Sequence, residues 1–174
     1  MVVDRLYGLL GAHKRILVWG PRVGAIELAE DLLMLWPSEG EVVAVNPAAL
    51  CTRTRQDGQD SEWVQWVDTS VEKLLKEVME RRPKGVVVLF AGTPIVPVLP
   101  ALLGGDWGFV TAIDATSYPD ALGRFRGLAG ADASKLDVLV GLVEAGTSTF
   151  ISEIVSVRDE ARVAKLVQGK YVVS

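Results

Sequence analysis

Gly20 and Gly24 bracket Pro21, Arg22 and Val23 directly after the apolar run Ile16 to Trp19. Glycines so placed let a backbone approach a ligand closely, and the N–H groups that open a helix attract anionic groups. Arg22 adds a cation for such a ligand or bulk that fills its place, and Pro21 removes one N–H from the cradle. The same glycines also suit the plain turn that any strand-to-helix junction needs. Thr93 and Asp114 follow two later apolar runs, where strand ends gather groups on the substrate side. Asp114 there is either a general base or a solvated carboxylate. Asn46 before Pro47 suits a turn, and Asp68-Thr69-Ser70 suits a helix cap. Arg124 and Arg126 around Phe125 suit a solvated loop or an anionic substrate, and Arg53 and Arg55 invite capture of a 2′-phosphate as in NADP sites.

Composition narrows the chemistry. A net charge of -4 argues against general nucleic-acid binding, which needs a basic stripe. The single cysteine, Cys51, excludes an internal disulfide framework, and the single histidine, His13, cannot build a zinc site alone; no metal is expected. Asn46 is the only asparagine, a depletion that fits a heat-adapted chain. No basic-then-apolar leader opens the sequence, so a cytoplasmic setting is expected.

The positioning elements follow from periodicity. A short helix is expected over Val3 to Leu10, a strand over Arg15 to Trp19 and a helix over Ala25 to Trp36, stopped by Pro37. Further strands are read at Glu41 to Val45, Trp63 to Val67, Gly85 to Phe90 and Gly108 to Ile113. Residues 48 to 60 read as a short helix and a loop, and residues 115 to 130 as a surface loop. Thr69 and Glu72 have capping-box spacing before a helix over Val71 to Arg82. Another helix is expected over Ala133 to Ala145, stopped by Gly146, and a hairpin from Phe150 to Val157 and Arg162 to Val173. Pro94, Pro97 and Pro100 rule out a membrane span in the uncharged run Val86 to Leu103; its part 95 to 103 is read as core or as a contact between identical subunits. Alternating strands and helices imply one α/β domain over residues 1 to 174. The expected architecture is a three-layer Rossmann-like sandwich, with a mostly parallel seven-stranded sheet and a C-terminal antiparallel hairpin.

Element order and spacing from Arg15 to Val173, with that final hairpin, resemble class I S-adenosylmethionine-dependent methyltransferases. Glu144-Ala145-Gly146 followed by FISEIVSV resembles the tail of fibrillarin-like members. Laid on the family's G-x-G-x-G motif, Gly20 and Gly24 match the outer glycines, Arg22 replaces the middle one and Val18 the first-strand acid. The resemblance implies a nucleoside-type ligand, S-adenosylmethionine, held by Gly20, Arg22, Gly24, Asn46 at the ribose and Asp68 at the adenine. It places Thr93 and Asp114 toward an unspecified methyl acceptor. Two alternatives stand beside it: a catalytically degenerate Rossmann-like binding or assembly subunit, and an NAD(P)-dependent oxidoreductase.

Overall fold

A computed structural model describes residues 2–36, 41–46, 51–55, 63–65, 71–159, 162–167 and 170–173. In chain order the elements are α1 (Val2–Gly11), β1 (Arg15–Gly20), α2 (Arg22–Met34), β2 (Val42–Asn46), β3 (Cys51–Arg55), β4 (Trp63–Gln65) and α3 (Val71–Arg81). Then come β5 (Gly85–Val88), α4 (Leu99–Gly104), β6 (Gly108–Asp114), α5 (Tyr118–Ala129), β7 (Val138–Ala145), β8 (Ser148–Ser156), β9 (Arg162–Val167) and β10 (Lys170–Val173). The ten strands form one sheet in the order β10-β9-β8-β7-β1-β6-β5-β2-β3-β4.

The five central strands, β7 to β2 in that order, run parallel, and both flanks are antiparallel. Strand alternation divides the core between two faces. Ile16 and Val18 of β1 pack with Leu6 and Leu10 of α1 and with Ala25, Ala29 and Leu33 of α2. Leu17 and Trp19 face the other way, with Leu99 and Leu102 of α4 and Phe125 of α5. This is the α/β sandwich expected, with a parallel centre and an antiparallel C-terminal end. Among the described residues no helix is long and apolar enough to cross a membrane.

Four readings of local structure change. Residues Cys51 to Arg55 are a strand antiparallel to β2, and β4 pairs antiparallel with β3 where a parallel strand was expected. The expected loop over 115 to 130 holds α5, whose Ser117 side chain accepts from the Asp120 N–H and whose Ala121, Leu122, Phe125 and Ala129 are buried. The expected helix from Ala133 is a short 3-10 turn, Gly130–Lys135, followed by β7. Leu136, Leu139 and Val140 fit a helical period, but β7 lies between β1 and β8 and buries Val138 to Leu142 on both faces, which a strand permits. Thr69 of the capping box lies outside the described residues. Ile95, Val98, Leu99, Leu102 and Leu103 of the 95 to 103 run are buried in the core.

One buried carboxylate ties three strands at the amino end of the sheet. Asp137 accepts from the Arg15 backbone N–H at 3.0 Å and lies 3.7 Å from the Arg158 guanidinium. Nearby, the Trp36 indole lies over Gly85 and Gly108, the first residues of β5 and β6. A Cβ at Gly108 would stand 2.6 Å from that ring. We therefore expect Gly108→Ala to cost about 1–3 kcal/mol through overpacking. Gly123→Ala, at an exposed α5 position with nothing within 4 Å, should instead gain about 0.5–1 kcal/mol. Urea unfolding midpoints of the two variants read these opposite signs; equal effects would contradict the packing described.

Candidate functional site

Open α/β sheets bind ligands beyond the carboxyl ends of their strands, and the residues singled out from sequence were expected there. The central event at this edge is the passage from β1 into α2. A single residue, Pro21, separates Gly20 from the helix, and the Ala25 N–H already donates to the Pro21 carbonyl at 2.9 Å. Arg22, Val23 and Gly24 are thus the first turn of α2, three residues ahead of the helix start expected from sequence. The turn expected between the two glycines is helix.

Both glycines serve packing against the hairpin of β7 and β8. Gly20 has φ +148°, and a Cβ there would meet the Leu142 Cβ at 2.7 Å. A Cβ on Gly24 would meet Thr149 Cγ2 at 2.8 Å. The Arg22 guanidinium lies over the Phe90 ring, 4.5 Å from the centroid. That is a cation–π contact of about 0.5–1 kcal/mol at an exposed site.

The other candidates are scattered. Asn46 ends β2, and β5 and β6 stand between β2 and β1. Three strand spacings of about 4.8 Å put Asn46 roughly 14 Å across the sheet from the Gly20 strand. Asp68 lies outside the described residues. Thr93 is exposed at the start of a 3-10 turn, Thr93–Ile95. Asp114 closes β6 beside Gly20 in register and is exposed. Of the candidates, the structure brings Gly20, Arg22, Gly24 and Asp114 to one edge.

Sequence reasoning overlooked a small cavity here of about 360 Å³, lined by Trp19 of β1, Glu153 and Val155 of β8 and the 116–119 segment. Among the described residues the buried Trp19 Nε1 has no hydrogen-bond partner. Asp120 and Arg124 pair locally at this edge. The Arg124 guanidinium donates to Asp120 Oδ1 at 2.8 Å, and the Thr116 N–H donates to Oδ2 at 3.0 Å. The Arg124 hydrogen bond, then that of Thr116, holds the Asp120 carboxyl below the usual range. Arg124 is raised in turn by Asp120, with a smaller contribution from the field of Asp114.

Taken as a class, the chain is an α/β domain, and its fold has a likeness among solved structures. It is similar to the crystal structure of the VirB11 ATPase from the Brucella suis type IV secretion system in complex with sulphate, with a TM-score of 0.69 and 14% identity. The match covers 91% of this chain and 53% of that one, so this chain spans about half the length of that ATPase. At this identity the likeness concerns the fold alone. No family model matches the sequence, and no curated protein does.

The methyltransferase reading is corrected by this likeness and by strand order. In a Rossmann-type sheet strand two lies beside strand one, which is what brings ribose and glycine contacts together. Here β6 and β7 flank β1. The same order removes the Rossmann-like binding or assembly subunit and the NAD(P)-dependent oxidoreductase as they were framed. The C-terminal hairpin is present as β8 and β9, yet it belongs to a four-stranded antiparallel run from β7 to β10 and does not identify a methyltransferase.

A depressed carboxyl contributes stability that is present above the unfolded pKa of about 3.9 and lost as pH falls through the folded one. Asp120→Asn should therefore be less stable than wild type at neutral pH, and the gap should close on acidification. Urea midpoints followed from pH 7 downward would show it; a gap constant with pH would contradict the Asp120 geometry.

Proposed function

We propose that this chain is a non-hydrolysing domain on an ATPase-type core that works by binding an extended segment of another protein. The observation that carries this reading is the arm formed by β7 and β8. Among the described residues, β1 pairs with β7 only through Gly141, and β9 pairs with β8 only over Glu153 to Val155. Leu142 to Ala145 and Ser148 to Ile151 therefore form a two-stranded arm with unpaired backbone on both outer edges. Such edges accept an added strand, main-chain hydrogen bonds giving affinity and alternate side chains giving specificity. Val143 and Phe150, a cross-strand pair, are each 43% exposed and supply an apolar anchor.

Sequence supports the non-hydrolysing part. A phosphate-binding loop needs G-x-x-x-x-G-K-[ST], so that backbone N–H groups cradle the phosphates and the lysine reaches the β and γ positions. Here only three residues separate Gly20 from Gly24, Ala25 and Ile26 follow, and no lysine occurs between Lys14 and Lys73. The arm also occupies the space beside that junction, through Leu142 and Thr149. The cytoplasm is the setting we assign, in keeping with the single cysteine.

A displayed library of extended peptides tests the reading. Wild-type protein should select peptides with alternating apolar residues, and Phe150→Lys should lose them at unchanged melting temperature. ATP with Mg²⁺ and S-adenosylmethionine should give no saturable stabilisation, against about 2.7 kcal/mol for a true site at a hundredfold excess over its Kd. Nucleotide turnover, or selected peptides indifferent to Phe150→Lys, would overturn it.

A further inference from the structure

A second cavity lies at the opposite end of the sheet, where the strands begin. It measures about 720 Å³, within the range of small-molecule sites. Three turns build it: the one from α1 into β1, the one from α3 into β5 and the one from α4 into β6. They bring His13, Arg82 and Lys84 to its wall, with Asp106 the one carboxylate among the lining residues. All four side chains are exposed, and among the described residues none of the three basic groups has an ion-pair partner. Met79, about half exposed, and the edge of the mostly buried Trp107 supply an apolar wall.

The backbone at this cavity is also unusual. Among the described residues, His13 (φ 53°) and Arg82 (φ 48°) are the non-glycine residues in the left-handed region, and both line this cavity. Each follows a helix end, the place where glycine is favoured because it carries no Cβ. At the first of these ends the Lys14 N–H closes back onto the Leu9 carbonyl at 3.1 Å, a glycine-type helix stop built with histidine. Backbone cost of this kind gathers where a side chain is kept for what it contacts. Here two such costs place an imidazole and a guanidinium in one concavity, and a guanidinium fork matches phosphate oxygens.

We propose that this amino-edge cavity binds a small organic phosphate, its oxyanion held by Arg82, Lys84 and His13 and its apolar part lying against Met79 and Trp107. The site is independent of the arm and of the carboxyl edge. It would give the domain a small-molecule input at the end of the sheet away from its protein-binding element.

Because His13 is the only histidine, its ring proton resonances report on the cavity without interference. Phenyl phosphate titrated into the full chain at constant ionic strength should shift them saturably, with inorganic phosphate binding more weakly. Arg82→Gly, which keeps the left-handed backbone, and Lys84→Ala, a change at an exposed side chain, should each weaken binding by about tenfold, or about 1.4 kcal/mol. A shift that never saturates, equal affinity for the two phosphates, or affinity unchanged in both variants would overturn the proposal. Should Arg82→Gly fail to fold, Lys84→Ala alone decides it.

Discussion

One residue between a strand and a helix sets the layout of the carboxyl edge of the sheet. Pro21 alone joins β1 to α2, and the junction is held because Gly20 and Gly24 leave room for Leu142 and Thr149 of the β7 and β8 arm. With Leu142 and Thr149 in place, a side chain at either glycine would push the arm away; at Gly20 it would also be strained by the φ of +148°. The room beside the two glycines is taken by Leu142 and Thr149 of the neighbouring hairpin. The helix N-terminus remains, but neither a loop nor a lysine accompanies it.

Strand order explains how the arm comes to be there. With β7 beside β1, the hairpin that follows β7 rises next to the start of α2. The same order moves β2 to the far side of β5, so that groups a Rossmann-type site would unite are divided. At the carboxyl edge the remaining charges close on one another through Asp120 and Arg124. At the amino edge Asp137 gathers Arg15 and Arg158, while His13, Arg82 and Lys84 have no ion-pair partner among the described residues.

Much of the fold was legible in the chain. The short apolar runs at Arg15, Glu41, Gly85 and Gly108 read as strands because β-branched and apolar residues fill them without a helical period. The strand at Val138 was hidden because its leucines and valines satisfy both periods; its three valines and its length of eight residues favour the strand. For α5 the signal was present in Ser117, Pro119 and Asp120, a cap with a first-turn proline and acid, although glycines at 123, 127 and 130 dilute the helical pattern. Cys51 to Arg55 alternates threonine with arginine, a strand period that its polarity masked. The site was less legible, since two glycines after a strand look alike whether they face a cofactor or a neighbouring hairpin. Strand order decides between those, and local sequence does not encode it. Arg82 could have been noticed at a helix end that lacks the usual glycine.

The central claim is that the arm packs on the first turn of α2 and closes the junction after β1. A Cβ at Gly24 would stand 3.4 Å from the Thr149 Cβ, at the short end of the separation a disulfide spans. The direct measurement is the oxidation state of the Gly24→Cys/Thr149→Cys double variant under mild oxidant, mapped by peptide mass spectrometry with Cys51 as the internal free thiol. The structure predicts near-complete formation of the 24–149 bridge in the folded protein. Two free thiols at those positions would contradict it, because they would mean that the first turn of α2 stands away from the arm.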